Sequence, residues 1–179
     1  IAEGRSRTQA MLRAVMGEDC PPDALRGYQV LTGLSSHSFS AMRDLLGPPR
    51  GCHYAVQHKG ETVVAVFDYG HFSALYEAVI DDVSRFDAGI EVLTQRQHFR
   101  MNYDTPYIRN LPTRLEITTS SDTDTGTEII GPIYEDPFRI ELGAFHDSIV
   151  TGAPSRTTLS DSMQDLLLFK QVARHFRPA

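Results

Sequence analysis

The strand-like segments from Cys52 to Tyr103 limit the fold of this chain more than any other part of the sequence. In runs such as TVVAVFDY and RQHFRMNY, β-branched and aromatic residues recur at the period of two that is typical of β-strands. The runs are separated by short turn signals, among them Lys59-Gly60 and Asp81-Asp82. Because such short connections cannot hold crossover helices, we expect the strands to pair antiparallel.

Two more strand-like runs follow, RLEITTS and EIIGPIY, with the polar segment SSDTDTG between them predicted as a turn or loop. Pro132 lies in the second run. Because proline cannot donate a backbone hydrogen bond, it indicates an edge strand or a bulge. These runs bring the expected number of strands to about seven.

Helix signals precede the strands. SRTQAMLRAVMG is predicted to be helical and to end at Gly17. YQVLTG is predicted to be a brief strand. Ser35 or Ser36 is predicted to cap a helix that ends at Gly47 before two prolines.

Helix signals also follow the strands. Asp136 with Pro137 behind it is a favoured start, and this helix is expected to reach about Gly152. A last helix is expected from about Thr158 towards Phe176.

These elements predict an α+β fold with an open, mostly antiparallel sheet of about six to eight strands and helices packed on one face. The length favours a single domain over residues 1–179. The other face of the sheet combines apolar and polar residues, which suggests that a second subunit or another domain covers it.

Composition restricts the partners. A net charge of −6 argues against nucleic-acid binding, and no apolar run approaches the length needed to cross a membrane. The two cysteines, Cys20 and Cys52, lack the spacing of a metal site or a disulfide framework, so reduced thiols and a cytoplasmic location are expected. The histidines also lack metal-ligand spacing, and no metal is predicted.

His37 is the most interesting titratable residue. It lies at the predicted start of the helix after LTGLSS, where the positive end of the helix dipole would disfavour the imidazolium form. A neutral imidazole can accept a proton from a substrate hydroxyl. The alternative is a histidine that only caps the helix or fills a packing gap.

Three parts of the chain together resemble the C-terminal domain of the Gfo/Idh/MocA oxidoreductases, which include glucose-fructose oxidoreductase and inositol dehydrogenase. They are the stretch from Gly33 to Pro49, the strand-forming middle and the ending ELGAFHDSIVTGAPSRTTLSDSMQDLLLFKQVARHF. The most specific matches are His37 with its following Leu-Leu-Gly, and Glu-Leu-x-x-Phe-x-x-x-Ile-x-x-Gly-x-Pro from Glu141 to Pro154.

The resemblance implies a two-domain dehydrogenase that uses NAD or NADP and acts on a sugar, polyol or related hydroxy compound. The family's N-terminal Rossmann domain carries a glycine fingerprint and a Glu-Lys-Pro segment, and neither occurs in this sequence. We therefore expect no cofactor to bind to this chain alone and no activity from it alone. The resemblance also implies that this domain supplies substrate contacts and a homo-oligomer surface on the open sheet face.

His37 falls on the family's catalytic histidine, which takes the proton of the substrate hydroxyl. One difference is important. Many members carry an aspartate four residues before this histidine, and this chain has Gly33 there.

A second candidate region is MNYDTPYIRNLPT, from Met101 to Thr113. Tyr107, Arg109 and Asn110 offer an aromatic surface, a guanidinium and an amide that suit hydroxyl or carboxylate recognition. The alternative is a structural loop that packs on the end of the sheet.

Two other functions remain open at this stage. The chain is a non-catalytic binding or oligomerisation module if the loss of the aspartate at Gly33 abolished the chemistry. A cofactor-free hydrolase or isomerase that uses Asp44 with His37 is the third hypothesis.

Overall fold

The computed structural model of the protein describes residues 2–176. Within them five α-helices, one π-helical turn and seven β-strands are formed. In chain order they are α1 (Ala2–Met16), α2 (Pro22–Val30), the π-helical turn (Leu31–Ser35), α3 (Ser36–Leu46), β1 (Gly51–His58), β2 (Thr62–Asp68), β3 (Ser73–Val79), β4 (Ala88–Leu93), β5 (Gln97–Tyr103), β6 (Thr113–Ser120), β7 (Thr125–Ile133), α4 (Pro137–Thr151) and α5 (Leu159–Arg174).

The strands confirm the predicted α+β class. Every pair of neighbouring strands is antiparallel. The runs TVVAVFDY, RQHFRMNY, RLEITTS and EIIGPIY overlap β2, β5, β6 and β7. They form two sheets rather than one, with the orders β1-β2-β3 and β4-β5-β6-β7. The connection over residues 80–87 is too long for a tight hairpin, so it does not force β3 and β4 into register.

The described residues form two compact units. The first contains residues 2–82 and 157–176, and the second contains residues 83–156.

The core of the first unit lies on one face of its sheet. Val63, Ala65 and Phe67 alternate along β2 and are buried, as expected from the period of two. Helices α2 and α5 pack against the sheet on this side. Phe39 of α3 and Phe169 of α5 are also buried there. The prediction of helices packed on one sheet face is therefore confirmed in this unit.

The prediction of a strand at YQVLTG was wrong. Residues 22–46 form one helical run, because Val30, Ser35 and Ser36 all have helical backbone torsions. The apparent alternation of Tyr28 and Val30 concealed a helical pattern in which Ala24, Tyr28 and Leu31 are buried at spacings of four and three. Pro22 in the first turn was the overlooked signal.

The other helix boundaries agree with the sequence. Gly17 follows α1 with a positive φ of 95°, which favours glycine. Asp136 caps α4 by accepting hydrogen bonds from the backbone N–H groups of Phe138 and Arg139. Thr158 caps α5 through the Asp161 N–H at 3.1 Å. Each cap satisfies a donor that the helix itself leaves unbonded.

The second unit contains the sheet β4 to β7 and helix α4. β7 is an edge strand of this sheet, and Gly131-Pro132 lies where two residues of β7 oppose the single Arg114 of β6. The predicted edge or bulge at Pro132 is thus confirmed. Every residue of α4 is exposed, apart from the half-buried Ser148.

Candidate functional site

His37 lies in the first turn of α3, and its side chain is exposed. Within residues 2–176 its imidazole makes no hydrogen bond or ion pair with another side chain. As predicted, α3 begins just before His37, at Ser36, but no free helix N-terminus lies there, because the helical backbone continues from Pro22. The dipole argument for a neutral imidazole therefore does not apply. What remains is an accessible imidazole whose position depends on the helix that carries it.

Helix α3 is anchored by Phe39, two residues after His37. Phe39 has no exposed surface, and its ring lies edge-on to Phe67 and Tyr76, with centroid distances of 5.2 and 4.9 Å. It also contacts Phe169 at 4.9 Å. Residues two apart on a helix point to nearly opposite sides. Burial of Phe39 therefore directs His37 away from the core.

A pair of hydroxyl groups holds the turn before His37. Ser35 is fully buried, and its Oγ lies 2.5 Å from the hydroxyl of Tyr76 on β3. The same Oγ donates to the Val30 carbonyl at 3.4 Å, five residues back. The hydroxyl thus finds partners inside the core, as a buried polar group must, and it ties the π-helical turn to the sheet.

The last turns of α3 are tied to α5 through Arg43. Its guanidinium is only 8% exposed. It donates to Asp161 Oδ1 at 2.6 Å and to Asp165 Oδ1 at 2.8 Å. The hydrogen bonds to these carboxylates raise the pKa of Arg43 above its usual range. Its hydrogen bond in turn lowers the pKa of Asp161. Both shifts favour the charged forms of Arg43 and Asp161.

Gly33 is exposed and lies four residues before His37. Among the described residues, no atom lies within 4 Å of where its Cβ would be, and its φ is not positive. The absence of a carboxylate here is therefore not imposed by packing or by backbone strain. An aspartate side chain has room at this position.

The residues predicted to contact substrate lie together in the second unit, on the loop between β5 and β6. The Tyr107 side chain is 85% exposed, and its ring lies 6.2 Å from that of Phe138. Arg109 Nε is 3.9 Å from Asp136 Oδ2, and the Arg109 side chain is 86% exposed. Asn110 has a positive φ of 59°, which asparagine tolerates better than most residues. The loop thus presents an aromatic ring and a guanidinium to solvent.

His37 and this loop belong to different units. Asp44, the carboxylate of the third hypothesis, is on α3 seven residues after His37. Two helical turns separate them by about 10 Å along the axis. An adjacent base and acid pair is therefore not formed.

Metal and thiol chemistry find little support. Over residues 2–176, no three His, Cys, Asp or Glu side chains are grouped so that they could hold a metal ion. Cys20 and Cys52 are both free thiols, and burial raises the pKa of Cys52, which disfavours the nucleophilic thiolate. No helix of the described part is long and apolar enough to cross a membrane.

Sequence reasoning missed the Arg43 network and the Ser35–Tyr76 pair. A signal for the first was present, because Asp161 and Asp165 are four residues apart and share one face of a helix. Nothing in the sequence showed that Arg43 would face them.

Solved structures share this fold. A protein from Bacillus subtilis, yvaA, provisionally named an oxidoreductase, has 15% identity and a TM-score of 0.62, over 82% of this chain and 49% of its own. A Desulfitobacterium hafniense protein, provisionally named an NADPH-dependent oxidoreductase, has 14% identity and a TM-score of 0.69. The match covers 84% of this chain and 48% of that protein. An oxidoreductase from Bacillus cereus has 16% identity and a TM-score of 0.60. The match covers 84% of this chain and 50% of that protein.

The chain therefore has the fold found in about half of each of these oxidoreductases. No family model matches the chain, and no curated protein matches it by sequence.

Proposed function

We propose that this chain is the substrate-side domain of an oxidoreductase of the Gfo/Idh/MocA type that acts on a sugar, polyol or related hydroxy compound. In this proposal His37 accepts the proton of the substrate hydroxyl, and the hydride from the same carbon would pass to an oxidised nicotinamide, so that the hydroxyl becomes a carbonyl. The observation that carries the proposal is an exposed imidazole that has no partner among residues 2–176, on a helix anchored by Phe39 and Arg43. The motif from Gly33 to Gly47 and the fold shared with oxidoreductases support it.

The cofactor of such an enzyme would be NAD or NADP, since one of the similar structures is named for NADPH. The described residues do not fit a dinucleotide. Both sheets are antiparallel, whereas the fingerprint that binds pyrophosphate lies between a strand and a helix of a parallel βαβ unit. The chain also spans only about half the length of the similar structures. We therefore assign to this chain the proton transfer and substrate contacts alone.

Substitution of His37 tests the proposal in the full-length polypeptide. His37→Ala should lower kcat for oxidation of the hydroxy substrate by about 10²- to 10⁴-fold, the usual contribution of a positioned general base. Turnover is followed by the absorbance of the reduced nicotinamide. His58→Ala is the matched control, because His58 is another exposed histidine of the same unit and lies on β1. Equal turnover of the two variants would refute the role of His37.

Arg109 is proposed to contact an acidic group of the substrate, with Tyr107 and Asn110 supplying polar and aromatic contacts beside it. Its side chain is exposed, and its ion pair with Asp136 is long at 3.9 Å. Arg109→Met should raise KM for an acidic substrate and leave kcat nearly unchanged, because the lost contact is made in the ground state and the transition state alike. Arg96→Met is the control, since Arg96 is also an exposed arginine of the second unit with an ion pair.

A non-catalytic binding or oligomerisation module is the second candidate. The carboxylate that many family members place near the histidine is missing at Gly33, although the site has room for it. Activity of the full-length protein that is insensitive to His37→Ala, with association intact, would favour this candidate.

Homo-oligomerisation through the open sheet face belongs to both candidates. The face of the first sheet opposite the core, here called the outer face, combines apolar and polar side chains. Its apolar residues are Tyr54, Val56, Val64, Val66, Leu75 and Val79, with Thr62 and Glu77 among them. Leu75 is 71% exposed, and exposed apolar side chains grouped within a polar surround are typical of an interface.

Leu75→Lys should convert an oligomer into a smaller species in sedimentation velocity, because it places a charge beside the apolar Val66 of this surface. Leu93→Lys, at an equally exposed leucine of the second sheet, is the control. An unchanged sedimentation coefficient for Leu75→Lys would refute association through the outer face.

A further inference from the structure

His37 owes its position entirely to the helix that carries it. Its imidazole is exposed, and the described residues give it no hydrogen bond or ion pair that would fix the ring. Any rotation or tilt of α3 therefore moves the imidazole directly. The contacts that fix α3 decide where His37 points.

Apolar packing of Phe39 turns His37 away from the core, but it acts at one position along α3. The Phe39 cluster buries apolar surface, and that driving force is non-directional. The hydroxyl pair of Ser35 and Tyr76 is directional, but it acts only at the start of the helix. A second directional tie is needed to fix the remainder.

Arg43 supplies that tie. Its Nε donates to Asp165, while Nη1 and Nη2 donate to Asp161, so the planar guanidinium is held by two carboxylates on a different helix. Asp161 and Asp165 lie one turn apart on the same face of α5. Because the donors of a guanidinium form a rigid fork, α3 cannot rotate about its axis without breaking these bonds.

The geometry relates this tie to His37. Arg43 follows His37 by six residues, which is about 9 Å along the axis and about 120° around it. Arg43 therefore faces α5 from inside, with only 8% of its side chain exposed, while His37 faces solvent. Because both residues are on the same helix, attachment of Arg43 to α5 also fixes the direction in which His37 leaves the helix.

We infer that Arg43 is a positioning residue, and that its ion pairs with Asp161 and Asp165 fix the rotation of α3 and so direct the His37 imidazole. The expected effect on turnover rests on the proposed function. The positional part of the inference, that Arg43 fixes the direction of His37, concerns this chain alone.

The positional part is tested by NMR of the chain with ¹³C-labelled histidine. In Arg43→Met the His37 Cε1–Hε1 signal should shift and broaden, because α3 exchanges among several rotations and the surroundings of the ring change with each. The signal of His58, on β1, should stay in place. Arg43→Lys keeps the charge but lacks the fork, so it should restore part of the ordered His37 signal.

Arg26→Met is the matched control. Arg26 pairs with Glu61 at 3.0 Å in the same unit, but its side chain is 54% exposed. Its loss should leave the His37 signal unchanged. If Arg43→Met does not fold, Arg43→Lys and Asp161→Asn make the same comparison, since each weakens the network without removing the charge of Arg43.

An unmoved His37 signal in a folded variant that has lost the network would overturn the inference, whatever the change in melting temperature. In the full-length protein, Arg43→Lys should lower kcat more than it changes KM. If His37→Ala leaves turnover unchanged, the proposed function fails, and the NMR comparison still decides whether Arg43 positions the ring.

Discussion

Truncation of Phe39 is expected to be among the most damaging single changes in the first unit. Phe39→Ala removes a ring with no exposed surface and with three aromatic neighbours at centroid distances of 4.9 to 5.2 Å. The neighbours come from β2, β3 and α5, so no single element can move in to fill the cavity. Phe→Ala substitutions in such sites cost about 3–5 kcal/mol. The expected loss is therefore a large part of a total stability of about 5–15 kcal/mol.

Urea denaturation followed by circular dichroism measures this loss. With an m-value of about 2 kcal/mol per M, a loss of 4 kcal/mol corresponds to a midpoint lower by roughly 2 M. Phe72→Ala is the matched control, because Phe72 is 39% exposed, stacks on the Tyr69 ring at 4.6 Å and meets the His71 ring edge-on at 4.9 Å. It should lose only about 1 kcal/mol. Equal losses for the two variants, or a loss below about 1 kcal/mol for Phe39→Ala, would refute the packing argument.

Three further changes have defined outcomes. Asp161 has a pKa lowered by Arg43, so its contribution to stability is present above its unfolded pKa of about 4 and is lost as the pH falls through the lower folded value. The stability of Asp161→Asn should therefore fall less between pH 5 and pH 2 than that of the wild type. Asp136→Ala should cost about 1 kcal/mol, because two capping hydrogen bonds are lost, and should reduce helicity by circular dichroism. Gly60→Ala should cost more than about 1 kcal/mol in thermal unfolding, since φ is +65° and the new Cβ would lie 2.8 Å from the Asp23 carbonyl.

Each of these has a control. Glu18→Gln changes a carboxylate outside the Arg43 network and should keep the acid sensitivity of the wild type. Asp147→Ala, inside α4, removes an acid of the same helix without removing its cap. Gly126→Ala meets no described atom within 4 Å and should stay within about 0.5 kcal/mol of the wild type. A Gly60→Ala variant as stable as Gly126→Ala would show that the backbone strain is misjudged.

A titration tests the expected absence of cofactor binding. Isothermal titration of this chain with NAD⁺ or NADP⁺ should show no heat from a specific site, because the described strands form no parallel βαβ unit. Saturable binding at micromolar concentration would contradict this expectation. Added salt controls for weak, non-specific attraction of the pyrophosphate to basic side chains.

The local patterns of the sequence were sufficient for the strands and for four of the five α-helices. Alternation along β2 and the caps at Asp136 and Thr158 depend on residues within a few positions of one another. Such signals are local because the hydrogen bonds that they satisfy are local. The α+β class followed from their order, and the similar solved structures agree with it.

The tertiary structure decided what surrounds His37. The sequence suggested a helix start before it, but the turn at Leu31–Ser35 continues α2 into α3, and Ser35 bonds to Tyr76 rather than capping a helix. The pairing of Arg43 with Asp161 and Asp165 joins residues more than a hundred positions apart, and no local pattern encodes which face of α3 meets α5. Helix periodicity determines which residues share a face. Only the packing of one element against another determines what that face contacts, because burial rewards apolar contact without specifying the partner.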